Sequence, residues 1–550
     1  MSAPTRYLPQ AGTLASTLCI LAAVPPVSQS QIIWVALVPW FMSLRRCRTS
    51  VEAVTQGFWL NVLLGFGGAF WVAPAAQRYL DVSLTLGLLV LLVHALVHQL
   101  QLVVFGALHW RATRAAPPAR FLDALGLAFL YTGLDWLTPK LFGDSLGLVL
   151  ISFPSLRQLA AWGGMELLTF IVVLVNLVVY ALAVPIWDAR AEHHPVKARP
   201  LRPGVWLLCS LGVFVGLGSI ENARVASAIG AAGRTLRVGF VQGNVPDDVR
   251  RRWSEGDPEA SLQSLEVYVR GTEQLLALPT LPELIVWPET SYPGVFRKPE
   301  SDAQLQLNVA FDRAIASFGV PIAFGAYDRE DRSDRRVLRN ALYLVEPRAE
   351  QPRDQLSPMS VYHKSTLFPI GEYVPFFDES TVRSWLPGSA HLSRGDGPRV
   401  LELGSGALSP LRIGPSICYE DVSARHATEL ARDGAELLLN VSNDSWFGDD
   451  GAAQWHLMMA TLRSVETRLP QVRATSSGFS GFILPSGEVH EPTEFREEAT
   501  RTFDLPLVHL GPTLRTRLGD WFGPFSLVVG ILWLLASRAR LRDARQRRLR

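Results

Sequence analysis

Cysteine is scarce in this chain. Four occur in 550 residues, and three of them, Cys19, Cys47 and Cys209, lie in or beside apolar segments. Between residues 221 and 520 only Cys418 remains. A lone cysteine excludes a disulfide within that stretch, so the thiol is either a buried small apolar residue or a reactive group. Taken without its neighbours, the buried reading leads. Net charge is equally sparse at +2, and many arginines cluster at the ends of apolar segments, so they give no argument for a nucleic-acid partner. One apolar segment follows another near the amino terminus without a small-residue cleavage pattern, which speaks against a cleaved signal peptide. His94, His98 and His109 share one helical face, yet that segment holds no carboxylate or cysteine to complete a metal site. No metal and no cofactor are expected.

Long apolar runs are plentiful but unevenly spread. A hydrocarbon core takes roughly 20 apolar residues of helix. Runs near 8–25, 28–44, 54–73, 82–108, 121–138, 158–187 and 204–220, and then 521–537, are read as eight spans. Loop charge orients them. Arginines and lysines gather after span two (Arg45, Arg46, Arg48), between spans four and five (Arg111, Arg114, Arg120), between six and seven (Arg190, Lys197, Arg199, Arg202) and in the tail after 537. The other loops hold few. This alternation predicts both termini in the cytoplasm and residues 221–520 on the far side, the periplasm in a cell with an outer membrane. An oxidising compartment would find no cysteine pair to bridge there. The expected domains are a helix bundle over 1–220, a globular domain over 221–520, and a last helix with a basic tail over 521–550. The tail arginines read as topology determinants and contacts to anionic lipid.

The middle stretch alternates β-rich runs, Leu236–Gln242, Leu284–Trp287, Val320–Ala326, Ala341–Val345, Leu411–Ile417 and Leu437–Val441, with helix-like segments such as Glu259–Leu276 and Asp302–Phe318. Apolar runs of this kind predict strands buried on both faces between helices, hence an α/β layered domain. Three reactive residues fall just after strands: Glu289, Lys364 and Cys418. Ligand sites in α/β sheets gather beyond the carboxyl ends of strands. A carboxylate can take the thiol proton, and an ammonium can stabilise the thiolate or the oxyanion of a tetrahedral intermediate. The trio suffices for acyl transfer through a thioester, although glutamate and lysine are also common surface residues.

Five ordered motifs narrow the choice. Val238-Gly-Phe-Val-Gln-Gly-Asn244, Val286-Trp-Pro-Glu289, Tyr362-His-Lys364 with Leu367-Phe-Pro-Ile-Gly-Glu-Tyr-Val-Pro375, Ile417-Cys-Tyr-Glu420 and Asn440-Val-Ser-Asn-Asp-Ser-Trp-Phe-Gly448 together resemble apolipoprotein N-acyltransferase. Pro25-Pro26 with Trp34-Val-Ala-Leu-Val-Pro39 is similar to that family's amino-terminal hairpin, and Leu518-Gly-Asp-Trp521 to the start of its last helix. The resemblance implies a nitrilase-like αββα sandwich with seven membrane helices before it and one after. It implies Glu289 as general base, Cys418 as nucleophile and Lys364 as the stabiliser of charge, supported by Glu372, Tyr419 and Glu420. The implied reaction moves an acyl chain from a phospholipid, with phosphatidylethanolamine the expected donor, to Cys418. The chain then passes to the α-amino group of a lipoprotein's diacylglyceryl-cysteine. No nucleic acid is implied, and a monomer is expected. His363 before the lysine, and Ser477 in Thr475-Ser-Ser-Gly478, depart from the family pattern.

Further candidates carry bland alternatives. Trp385 and Leu386, after Phe376 and Phe377, read as a lipid-dipping loop or as ordinary packing. Trp446 and Phe447 read as acyl-chain contacts or core. Asp135 and Glu166 lie in or near spans, where ionisable residues are usually functional; lining a headgroup cavity competes with snorkelling to the interface. Two rivals to acyl transfer remain open: a membrane-anchored nitrilase-like amidase using the same three residues, and a catalytically dead lipid-binding scaffold.

Overall fold

In the computed structural model, the described residues are 8–80, 82–113, 121–191, 201–299, 301–331, 336–347, 357–369, 371–374, 381, 392–404, 410–448 and 450–549. The chain divides into two compact units. One comprises Met1–Ala73, Thr85–Asn222 and Leu518–Arg550, and the other Pro74–Leu84 and Ala223–Arg517.

The first unit is helical. Four described helices are long and apolar enough to cross a membrane: Leu84–Thr113, Ala160–Asp188, Arg202–Gly230 and Phe522–Ala539. A fifth arises if the pair Ser50–Gly68 and Val72–Arg78, bent by 47°, is one span. Residues 28–44 differ from the single span expected of them. They form a 3-10 turn, Ser30–Trp34, and a nine-residue helix, Val38–Arg46, with proline in its first turn. The break is stabilised from elsewhere: Asn176 donates to the Ile33 carbonyl at 2.8 Å and accepts from the Leu37 N–H at 2.8 Å. Backbone groups freed inside an apolar bundle need such partners. Helices Phe121–Leu137 and Phe522–Leu549 approach through small residues. A Cβ on Gly530 would stand 2.5 Å from the Leu130 Cα, so only glycine permits that crossing.

The second unit is an α/β domain with two six-stranded sheets. One sheet uses β1 (Thr235–Gln242), β2 (Leu284–Val286), β3 (Ile322–Asp331), β4 (Arg336–Val345), β5 (Met359–His363) and β12 (Ala499–Pro506), in the order β12-β1-β2-β3-β4-β5. The other uses β6 (Leu401–Leu403), β7 (Leu411–Ile417), β8 (Leu437–Ser442), β9 (Gln471–Thr475), β10 (Gly481–Ile483) and β11 (Val489–His490), in the order β11-β10-β9-β8-β7-β6. The strand period of two sorts the side chains. Leu236, Val238, Phe240, Leu284 and Val286 meet Leu411, Ile413, Leu439, Val441 and Val472 between the sheets. Val241, Ile285 and Trp287 turn the other way, against Tyr268, Leu275 and Phe311 of the helices Pro258–Leu276 and Asp302–Phe318. Both faces of these strands are therefore apolar, which is why they read as near-continuous hydrophobic runs.

Candidate active site

Glu289, Lys364 and Cys418 each leave the end of a strand. Glu289 follows β2 through Trp287-Pro288, Lys364 follows β5, and Cys418 follows β7. The first two are in contact, with Lys364 Nζ 3.4 Å from Glu289 Oε1. The charges of both act on the Cys418 thiol. Gly325 on β3 makes room: its N–H donates to the Pro288 carbonyl at 3.0 Å, and a Cβ there would lie 2.5 Å from the Glu289 Cα. Backbone strain marks the same places. Thr290, directly after Glu289, has φ +50°, and Cys418 itself has φ +50°. Such conformations cost a non-glycine residue about 1–3 kcal/mol and concentrate at functional sites.

All three residues are buried, so each charge needs partners. Both oxygens of Glu289 are engaged: Oε1 accepts from Asn340 Nδ2 at 2.6 Å and Oε2 from the Asn443 N–H at 2.7 Å. The nearer carboxylate to Lys364 is Glu372, whose Oε1 accepts from Nζ at 2.8 Å while Oε2 accepts from the Phe368 N–H at 2.7 Å. Burial alone would lower the Lys364 pKa. The charges of Glu372 and Glu289 outweigh it and hold the ammonium well above its ordinary range. Burial and the Glu289 charge push the Cys418 thiol well up, and Lys364 only partly opposes them. Cys418 therefore rests as a protonated thiol.

Glu420 is fully buried and accepts five hydrogen bonds. Its Oε1 takes the Tyr362 hydroxyl (2.7 Å), the Ser365 N–H (2.6 Å), the Ser365 hydroxyl (2.9 Å) and the Thr366 N–H (3.0 Å). Its Oε2 takes the Ile417 N–H at 2.9 Å. This one carboxylate thus ties the turn of the cysteine to the segment just after the lysine. Beside the thiol an aromatic row begins. Tyr419 meets Phe368 edge-on at 5.2 Å, Phe368 meets Trp446 at 5.1 Å, and Trp446 stacks on Phe447 at 4.1 Å.

The other candidates fall elsewhere. Phe376, Phe377, Trp385 and Leu386 lie outside the described residues. Asp135 belongs to a polar cluster inside the helical unit, accepting from Gln101 at 2.8 Å, Lys140 at 2.5 Å and Ser145 at 2.6 Å. Glu166 is half-buried on the helix Ala160–Ala191. His94 and His98 have ring centroids 4.8 Å apart, with His98 2.9 Å from Asp144, whereas His109 stacks on Phe41 at 4.7 Å.

Two family models match the chain. Residues 237–513 match carbon-nitrogen hydrolase, and residues 16–178 match the apolipoprotein N-acyltransferase N-terminal domain. Apolipoprotein N-acyltransferase of Gloeobacter violaceus is 29% identical over 94% of this chain and 92% of its own. That of Pseudomonas putida is 27% identical over 96% of each. The chain belongs to the apolipoprotein N-acyltransferase family. Among solved structures, a mutant of the amidase from Nesterenkonia sp. AN1 is 16% identical, with a TM-score of 0.34, over 49% of this chain and 93% of its own.

The two departures from the apolipoprotein N-acyltransferase pattern lie apart from the Glu289–Lys364 contact. His363 pairs with Asp328 at 2.8 Å. Ser477 is buried, and its hydroxyl finds no partner among the described residues. Asn340, Asp421, His456 and Arg473 lie outside the motifs, and Asp444 lies inside one without being singled out. Asn340 bridges Glu289 and Glu372, at 2.6 and 3.4 Å. Asp421, Asp444, His456 and Arg473 form a buried charged group. One signal was available: Arg473 is a lone arginine in the strand Gln471–Thr475, all of whose residues are buried, and a charge there needs a nearby opposite charge.

Proposed function

We propose that this protein transfers a fatty acyl chain from a phospholipid, through a thioester on Cys418, to the α-amino group of a lipoprotein's amino-terminal diacylglyceryl-cysteine. The observation that carries the reading is the Glu289–Lys364–Glu372 contact acting on a buried thiol, in a chain that also holds several membrane-length apolar helices. In the first step Glu289 takes the Sγ proton as Sγ bonds to the ester carbonyl carbon. Lys364 faces the oxyanion that forms. The C–O bond to glycerol breaks, and Glu289 returns the proton to the departing lysophospholipid oxygen. In the second step the amine nitrogen attacks the thioester, the C–S bond breaks, and a proton passes from nitrogen through Glu289 to the thiolate. Phosphatidylethanolamine is the donor this reading favours.

Tyr419, Phe368, Trp446 and Phe447 offer an apolar wall for the acyl chain, and shielding the thioester from water favours such a lining. Several membrane spans, cytoplasmic termini and a periplasmic domain in an inner membrane complete the reading, supported by the spacing of the loop arginines. Asp135 and Glu166 stay candidates for the headgroup cavity, and a monomer suffices. The amidase reading is disfavoured, because the helical segment 16–178 has its own match in the acyltransferase family.

The test uses full-length protein with labelled phospholipid and a diacylglyceryl peptide. Wild type is expected to form a thioester adduct and N-acylated peptide, both lost in Cys418→Ala and Cys418→Ser. Lipid-independent amide hydrolysis would favour the amidase, and neither adduct nor product would favour the scaffold.

A further inference from the structure

Near the thiol lies a buried group of charges that the two-step mechanism does not use. Asp421, Asp444, His456 and Arg473 are each no more than 5% exposed. Their contacts close a ring of alternating sign. Asp421 Oδ1 lies 2.7 Å from His456 Nε2, and His456 Nδ1 lies 3.0 Å from Asp444 Oδ1. Asp444 Oδ2 accepts from Arg473 Nη2 at 2.9 Å, and Arg473 Nη1 donates to Asp421 Oδ2 at 2.7 Å. Asn440 also accepts from Arg473 Nη1. Arg473 Nη2 also lies 2.9 Å from His456 Nδ1. A neutral imidazole has one N–H, so it could donate to only one of the two carboxylate oxygens that face its ring nitrogens, Asp421 Oδ1 and Asp444 Oδ1. An imidazolium donates to both and brings two negative charges against two positive ones, so the ring is neutral in a dry site.

The ring grips both turns that matter. Asp421 lies in the turn Cys418–Val422, three residues after the thiol. Asp444 follows Asn443, whose N–H holds Glu289 Oε2 at 2.7 Å. Asp444 Oδ1 also accepts from the Ser442 hydroxyl at 2.6 Å. Ile417 pairs with Val441 in the β7–β8 ladder, so Cys418 and Ser442 leave the sheet side by side. His456, on the helix Asp450–Thr467, and Arg473, on β9, bind one aspartate from each turn.

We infer that His456, as an imidazolium, and Arg473 are positioning residues that fix Cys418 relative to Glu289 through Asp421 and Asp444. The inference rests on the acyl-transfer reading above. A misplacement of about 1 Å can lower a rate about 100-fold. Among the described residues, the charged groups in contact with His456 are those of the ring, Asp421, Asp444 and Arg473, with the Phe447 ring 5.6 Å away. Burial would lower the imidazole pKa, and Asp421 and Asp444 raise it, against Arg473, to about 9. The ring therefore loses its fourth charge as pH rises through that value. Lys364 stays protonated there, so it does not produce a decline in that range.

The test measures formation of the labelled acyl-enzyme by full-length protein, against phospholipid concentration and pH, with melting followed in parallel. Wild type is expected to lose kcat as pH rises through about 9 while still folded. His456→Gln is expected to fall about 100-fold in kcat with KM unchanged, and to show no such decline. Arg473→Lys, which keeps the charge but not the fork, is expected to retain the wild-type alkaline limb at reduced kcat. A His456→Gln protein with wild-type kcat and the wild-type alkaline limb overturns the inference. If that variant does not fold, the wild-type profile decides: no decline near pH 9 overturns it. Wild type that forms no acyl-enzyme overturns the acyl-transfer reading itself.

Discussion

Glu372 Oε1 stands 2.8 Å from Lys364 Nζ, closer than Glu289 Oε1 at 3.4 Å. The lysine is thus neutralised chiefly by a carboxylate other than the one beside the thiol. This division leaves Glu289 able to accept a proton without forfeiting the partner that keeps Lys364 charged. Glu372→Gln removes that second anion, and the ammonium is drawn onto Glu289. Acyl-enzyme formation is expected to fall about 100-fold, the scale of a small displacement at a reacting centre. Single-turnover acylation with labelled phospholipid measures it, and a wild-type rate would show that Glu372 has no part in holding the lysine.

Thiol chemistry gives an independent check that needs no lipid. The Glu289 charge raises the Cys418 pKa and the Lys364 charge lowers it. Alkylation follows the thiolate fraction. Its pH profile is expected to move to lower pH in Glu289→Gln, with several-fold faster reaction at neutral pH, and to higher pH in Lys364→Met. Iodoacetamide labelling of Cys418, read by mass spectrometry across pH, provides the curves. Shifts in the same direction would mean that the two variants disturb packing rather than charge.

Much of the α/β domain was legible because its strands are apolar on both faces. Leu411–Ile417 and Asp302–Phe318 stand as read. The hairpin of β3 and β4 extends beyond the apolar runs, because its outer halves, Tyr327–Asp331 and Arg336–Asn340, are largely polar and pair with each other as strands. Span 28–44 was misread because hydropathy does not register a side chain such as Asn176, which satisfies a broken backbone from a distant helix. The three strand-end residues and Asp444 lie in local motifs, whereas Asn340, Asp421, His456 and Arg473 do not. Their meaning lies in contacts spanning 12 to 52 residues, which no local pattern displays.

Glu420 predicts a stability effect separate from charge at the thiol. Glu420→Ala strands five donors in a buried site, and each buried donor left unpaired costs about 1–3 kcal/mol. Tyr362→Phe removes one donor and leaves the rest, about 1 kcal/mol. Denaturant unfolding of full-length protein in detergent is expected to rank the two in that order. Equal losses would mean that the tyrosine hydroxyl alone carries the contact.

Gly325 provides a steric test of the role proposed for Glu289. A methyl group there would meet the Glu289 Cα at 2.5 Å and the Thr290 nitrogen at 2.6 Å, both backbone atoms that cannot rotate aside. Gly325→Ala must therefore push the Glu289 turn away from β3. Overpacking of this kind costs about 1–3 kcal/mol, so the domain is expected to fold with a lowered melting temperature. The catalytic loss should be larger than that, because the displaced segment carries the carboxylate, whose Asn340 and Asn443 contacts are 2.6 and 2.7 Å long. Acylation of Cys418 is expected to drop about 100-fold while its alkylation by iodoacetamide persists. Loss of alkylation together with acylation would indicate collapse of the whole site, and an unchanged acylation rate would show that Glu289 does not need its place against β3.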